Sequence, residues 1–347
     1  MRALLLFLFT LLITYAAPFA YITNSDDDTV SVIDTATNSV TATVNVGRLP
    51  QGVAVTPDGS KVYVANWNDN TVSVIDTATN SVTATVNVGN RPAGVAVTPD
   101  GSKVYVANWN DNTVSVIDTA TNSVTATVNV GNRPAGVAVT PDGSKVYVAN
   151  KYDNTVSVID TATNSVTATV NVGNRPTGVA VTPDGSKVYV ANWDDSTVSV
   201  IDTATNSVTA TVNVGRWPGG VAVAPDGSKV YVANWDDNTV SVIDTATNSV
   251  TATVNVGNKP EGVAVTPDGS KVYVANWDDN TVSVIDTATN SVTATVNVGN
   301  KPIAFGQFIG PAPVQPQQTV TVPLSPLALG FLIALFGFAG SRRIQRR

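Results

Sequence analysis

The chain has 347 residues, a net charge of −7, and neither cysteine nor histidine. The first absence excludes a disulfide framework, a thiol nucleophile and a Cys-based metal site, and the second removes the commonest general base and metal ligand. Charged residues are only 13% of the chain, while Val, Thr, Ala and Ser dominate, as suits strands buried between neighbouring sheets.

The chain opens with Met1-Arg2, an apolar run over residues 3–13, and small residues at Thr14, Ala16, Ala17 and Ala20. This reads as a secretory signal peptide over 1–20, because the apolar run is shorter than the ~20 residues of a membrane span. The protein is therefore expected to be exported.

From there the chain is periodic. Val-Ser-Val-Ile-Asp-Thr-Ala-Thr-Asn-Ser-Val-Thr-Ala-Thr-Val-Asn-Val-Gly recurs at Val30, Val72, Val114, Val156, Val198, Val240 and Val282, every 42 residues without insertion or deletion. A fixed period of about 40–45 residues holding four short β-rich runs predicts one propeller blade per repeat. Taking 48–89 as the unit, Gly52-Val53-Ala54-Val55 is an inner strand a, ended by the turn Thr56-Pro57-Asp58-Gly59-Ser60. Lys61-Val62-Tyr63-Val64-Ala65-Asn66 is strand b, and Thr71-Val72-Ser73-Val74-Ile75-Asp76 is strand c. Residues 81–88 alternate as a half-exposed outer strand d.

Six complete units fill 48–299. The stretch 20–47 supplies only strands b, c and d, and 303–309 supplies one more strand a. Pairing these two pieces removes an open edge. The expected fold is thus all-β: a seven-bladed β-propeller over 21–310, closed by the C-terminal strand 303–309 on the three-stranded N-terminal blade, and monomeric.

Beyond it, 311–323 is rich in Pro and Gln and reads as an extended stalk. Residues 324–340 are apolar apart from Ser325 and Pro326, with Arg342, Arg343, Arg346 and Arg347 following. That pattern predicts membrane attachment with the arginines cytoplasmic and the propeller periplasmic or at the cell surface, unless the tail is cut. Val322-Pro323-Leu324-Ser325, the apolar run and the arginine cluster resemble the C-terminal sorting signals of Gram-negative bacteria.

The repeat itself also carries a resemblance. Tyr21-Ile22-Thr23-Asn24, the six Tyr-Val-Ala-Asn copies, Val-Ile-Asp and Pro-Asp-Gly are similar to the YVTN-type β-propeller repeats of bacterial and archaeal exported and surface-layer proteins. The resemblance covers roughly 20–310. It implies a seven-bladed propeller in a cell-envelope setting and no single reaction, since relatives include surface proteins, binding proteins and, more distantly, lactonases and quinoprotein-like enzymes.

Among the complete units, seven columns vary. Three lie in the d–a crossing (at Arg48, Leu49 and Gln51), three in the b–c loop (at Trp67, Asn68 and Asn70), and one at Thr56, where Ala224 replaces Thr. The d–a and b–c loops of an antiparallel blade emerge on one side, so six variable columns share a face. That face carries the ligand-binding candidates: Trp67, Trp109, Trp193, Trp235 and Trp277 in one column, Tyr152 beside Lys151 in the fourth blade, and Trp217 in a d–a loop. Arg91, Arg133 and Arg175 join them, with the carboxylates Asp69, Asp111, Asp153, Asp195, Asp237 and Asp279 nearby. Trp with Asp, Asn and Arg can stack a sugar ring and hydrogen-bond its hydroxyls, and also composes protein–protein hot spots. The same residues could instead pack on one another, each cation pairing with an Asp.

Asp34, Asp76 and their equivalents are expected to cap the c–d turn. Glu261 is the only glutamate, and without a second carboxylate it makes no acid/base pair. No catalytic residue, cofactor or metal site is expected. Without Arg2 and the tail arginines, the body holds 14 cations against 26 acids, a field that repels phosphate backbones and argues against nucleic acid. The sequence points to a non-enzymatic envelope protein binding a protein or polysaccharide. The alternatives are a lactonase-like hydrolase or quinoprotein-like oxidoreductase, and after them a nucleic-acid-binding propeller.

Overall fold

The computed structural model describes residues 18–311. Most of the expected signal peptide and stalk, and all of the C-terminal apolar and arginine segment, lie outside them. Seven four-stranded antiparallel sheets make up the described part, one per repeat, with no helix and so none long and apolar enough to cross a membrane.

In the second blade the strands are Pro50–Val55 (a), Lys61–Asn66 (b), Thr71–Asp76 (c) and Ser81–Asn87 (d), and the next five blades repeat these bounds at the 42-residue interval. Strands b and c are buried on both faces, whereas d is exposed apart from half-buried Ala84 and buried Val86. The core therefore lies between blades. Tyr63 and its six counterparts are fully buried there. Tyr63 Oη donates to Asn122 Oδ1 of the third blade at 3.3 Å, and Lys61 Nζ to Thr119 O at 2.9 Å. A buried phenol needs such a partner; here it also ties five of the seven blades to the next, whereas Tyr231 Oη is buried without a partner among the described residues. The seam is tied in the same way, Tyr273 Oη donating to Asn38 Oδ1 at 2.5 Å.

Both turn types hold as their sequences suggest. Asp76 Oδ1 accepts from Thr79 N at 2.9 Å, capping the c–d turn. In the a–b turn, Thr98 Oγ1 donates to Asp100 Oδ1 at 2.6 Å and accepts from Lys103 N at 3.0 Å.

Strand a is bulged. Pro50 pairs with Asn66, but the next pair is Val53 with Val64, so Gln51 and Gly52 together face a single residue of strand b. The extra residue brings the glycines close to the neighbouring blade: a Cβ on Gly136 would lie 2.3 Å from Thr177 O, and one on Gly178 2.3 Å from Gly219 O. Only glycine permits that approach, and below these glycines the Val-Ala-Val runs line an axial cavity of about 360 Å³.

Ring closure departs from expectation in detail. The seam is a two-residue pairing, Phe19 with Gly310 and Ala20 with Ile309, supported by Tyr21 N donating to Phe308 O at 2.9 Å. The strand expected over 303–309 is therefore only Ile309–Gly310. Ala304 and Gly306 have φ of 49° and 133°, and Phe305 and Gly306 bridge in parallel to Gly52 and Val95. The segment leaves the blade edge and lines the cavity, a path the left-handed backbone at Ala304 and Gly306 permits. The first strand, Phe19–Asn24, also begins two residues before the expected domain boundary.

Candidate functional site

The face carrying six variable columns is built by a clamp between two loops. Asn66, fully buried, donates from Nδ2 to Thr71 Oγ1 (3.0 Å) and Ser73 Oγ (2.9 Å), and its Oδ1 accepts from Gly47 N (3.1 Å). Three residues on, Asp69 accepts from Arg48 N at 2.7 Å and Arg48 Nε at 2.6 Å. Where asparagine replaces arginine the clamp persists: Asn90 donates to Asp111 from N (2.7 Å) and Nδ2 (2.8 Å). The Asp column weighed as a sugar-binding element thus spends its oxygens on the d–a crossing. Hydrogen bonds from Arg48 and Arg216 hold Asp69 and Asp237 below the usual carboxylate range.

The clamp presents the aromatic column as an arc. Trp67 and Trp109 lie 5.7 Å apart between ring centroids, Trp193 and Trp235 5.9 Å, and Trp235 and Trp277 5.3 Å. Lys151 fills the gap, its Nζ 5.6 Å from the Trp109 ring and 4.9 Å from Trp193. Tyr152 meets Trp109 edge-on at 5.8 Å, and Trp217 stacks on Trp193 at 5.9 Å with an 11° interplanar angle. Most indoles are half-buried, but Tyr152 is 57% and Trp217 43% exposed, the two most accessible large apolar side chains among the described residues. The first blade breaks the arc with Ser25, which is buried and donates to Lys301 O at 2.9 Å.

The predicted cations stand against this arc. Arg91 lies 5.6 Å over Trp67, and Arg175 lies 5.6 Å over Tyr152 and pairs with Asp194 at 3.3 Å. Arg133 bonds the Asn110 side chain. All three have left-handed backbones, with φ of 51–54°, steadied by amides donating to Asn70, Asn112 and Asn154. Sequence reasoning placed every one of these residues on this face, but it did not show that indoles contact indoles as well as cations.

It singled out Glu261 only to note that no second carboxylate accompanies it. The strand-a bulge recurs between Pro260 and Val263 and includes Glu261, one residue before the bulge glycine Gly262. Its Oε1 lies over Gly219, 3.6 Å from where a Cβ would stand. Burial pushes its carboxyl up to about 7, against the pull of Lys151; burial lowers Lys151 in turn, with Glu261 its foremost opposing charge. The signal was present, since each is a single-copy departure from its column. Among the described residues, no three acidic side chains converge as a metal site would require.

The sequence profile of the YNCE-like beta-propeller matches in overlapping segments, over residues 8–102, 59–143, 91–184, 133–226 and 218–306. The chain belongs to the YNCE-like beta-propeller family. No curated protein matches its sequence. Among solved structures, this YNCE-like propeller is similar to a chain of Kuenenia stuttgartiensis hydrazine synthase, with a TM-score of 0.68 and 26% identity over 80% of this chain and 98% of that one. It is also similar in fold to a functionally unknown protein from Desulfotomaculum acetoxidans DSM 771, with a TM-score of 0.73 and 20% identity over 83% and 100% of the two chains. Altogether 1713 chains of known structure match, so the fold by itself selects no function.

Proposed function

We propose that this YNCE-like propeller is a non-enzymatic cell-envelope protein whose aromatic face binds a polysaccharide. The observation that carries this reading is the arc from Trp67 to Trp277, which concentrates the most exposed aromatic groups on one side of the disc. Indole faces stack on the apolar faces of sugar rings, while neighbouring cations and amides serve hydroxyls. Near-equivalent loops around a ring make weak contacts additive when the partner is itself repetitive. The envelope setting rests on the apolar segments at both chain ends and on the likeness to YVTN-type surface repeats.

A catalytic role finds less support. With no Cys, no His and one Met, the chain lacks the usual nucleophile–base pairs and soft metal ligands. The likeness to the hydrazine synthase chain is therefore read as one of fold.

A glycan-array and envelope pull-down screen with the full chain tests the proposal. A saturable glycan signal is expected. Replacing Tyr152 and Trp217 together by Ala, in a protein that keeps its thermal transition, should cost about 2 kcal/mol, near thirtyfold. Capture of a protein with no glycan signal would replace the polysaccharide by a protein partner. Silence in both screens would leave the face as packing and the protein as a structural coat.

A further inference from the structure

The aromatic face is divided electrostatically, and the division follows one column of the repeat. The residue after the aromatic column is Asn68, Asn110 and Tyr152 in blades two to four, and Asp194, Asp236 and Asp278 in blades five to seven. Where this column is acidic, the cations beside it are paired. Arg175 meets Asp194 at 3.3 Å, Arg216 meets Asp236 at 3.0 Å, and Lys259 and Lys301 meet Asp278 at 3.5 and 2.7 Å. Where it is neutral, Arg91, Arg133 and Lys151 form no ion pair among the described residues. The b–c loop carboxylates of these blades are already engaged, Asp69 with Arg48, Asp111 with Asn90 and Asp153 with Asn132, at 2.6–2.8 Å.

The unpaired cations are interleaved with indoles in one continuous run. Arg91 lies 5.6 Å over Trp67, Trp67 stands 5.7 Å from Trp109, and Lys151 lies 5.6 Å from Trp109 and 4.9 Å from Trp193. Arg133 joins the run beside Trp109, through the Asn110 side chain. Lys151, Tyr152 and Arg175 also line one open cleft of about 540 Å³ between blades four and five, whose carboxylates Asp194 and Asp195 are taken up by Arg175 and Asn174. An indole face favours a cation without neutralising it, so the N–H donors of these groups stay free for an anion. A neutral sugar would stack and leave those donors to water, whereas a sugar acid supplies the ring face and the charge together. At ~0.1 M salt, screening within about 10 Å lets these local cations outweigh the acidic charge of the body. We propose that the polysaccharide is acidic, a polyuronate whose carboxylates accept from Arg91, Arg133 and Lys151 while its rings stack on the intervening indoles. This assignment of ligand class rests on the polysaccharide reading above.

The experiment titrates the full chain with polygalacturonate, alginate and the methyl ester of each, followed by calorimetry and tryptophan emission. Ester and acid share a backbone and differ in charge alone. At least one acid should bind saturably and at least tenfold more tightly than its ester, the worth of a charge-assisted contact. Raising salt from about 50 to about 500 mM should erode that advantage and leave the ester unaffected. Arg91→Leu and Arg133→Leu install the residue that Leu49 carries in the same column, with the same left-handed backbone, and Lys151→Trp restores the aromatic column. The triple variant should therefore fold, bind the ester and lose the preference for the acid. Equal affinity for acid and ester, or a preference that survives in the triple variant, overturns the acidic assignment and leaves the polysaccharide reading intact. Binding to neither acid overturns it as well, and a neutral hit on the glycan array would then keep the polysaccharide reading alone. Tighter binding to oligothymidylate than to either acid overturns it in favour of single-stranded nucleic acid.

Discussion

Glu261 shows how one side chain can set the pH behaviour of a repeat protein. Burial lifts its carboxyl from 4.5 to about 7, so the folded protein keeps a proton that the unfolded chain releases between those values. The associated stability is fully present below about pH 4.5 and declines as pH rises through 7. The loss is roughly 2 kcal/mol, less than the full linkage value because the side chain keeps some contact with water. Glu261→Gln keeps the shape and cannot ionise. In thermal melts it should match the natural protein near pH 4.5 and exceed it by about 2–4 °C near pH 8; coincident melts at both would refute the assignment. Nothing in a one-dimensional reading marked Glu261 as shielded, because its place depends on the strand-a bulge and on the close approach of the neighbouring blade at Gly219.

The a–b turn carries its own internal control at the level of elements. In five of the six complete blades a Thr hydroxyl bonds the turn Asp, as Thr98 bonds Asp100 at 2.6 Å, and that bond leads in depressing the Asp100 carboxyl to about 2. Ala224 breaks the pattern, so Asp226 keeps only its serine contacts and the Lys229 amide has no hydroxyl to reach. Ala224→Thr should stabilise the propeller by about 1 kcal/mol, seen as a higher urea midpoint at unchanged slope. An unmoved midpoint would mean that the hydroxyl's desolvation cancels its bonds. Strands, turns and blade count were legible because the 42-residue period repeats without error and each run has strand chemistry. The left-handed Arg91, Arg133 and Arg175 and the path of 303–310 were not. The first depend on side-chain amides in the adjacent loop, and the second departs from the repeat altogether.

Closure decides the integrity of the whole molecule, and it passes through very few residues. Both N-terminal members of the seam pairing, Phe19 and Ala20, fall inside the segment that the sequence assigns to the signal peptide. Pro18 contributes as well, its carbonyl accepting from Thr35 Oγ1 at 2.7 Å. If a leader is removed, the cut should therefore fall at or before Pro18, which intact-mass measurement of the exported protein can read. A chain beginning at Tyr21 should lose on the order of 2 kcal/mol and unfold over a broader range. A sharp, undiminished transition from that truncated chain would show that the Ile309–Gly310 strand is dispensable.

The seam also imposes an order in time. A ribosome delivers Phe19 first and Gly310 nearly last, so the opening blade waits, with an unpaired edge, for almost the entire propeller to be made. Until then no closed disc can exist, however well each hairpin forms locally. A nascent chain that stays unfinished in this way keeps one blade edge open throughout its synthesis, and the ring closes only once the strand Ile309–Gly310 has arrived.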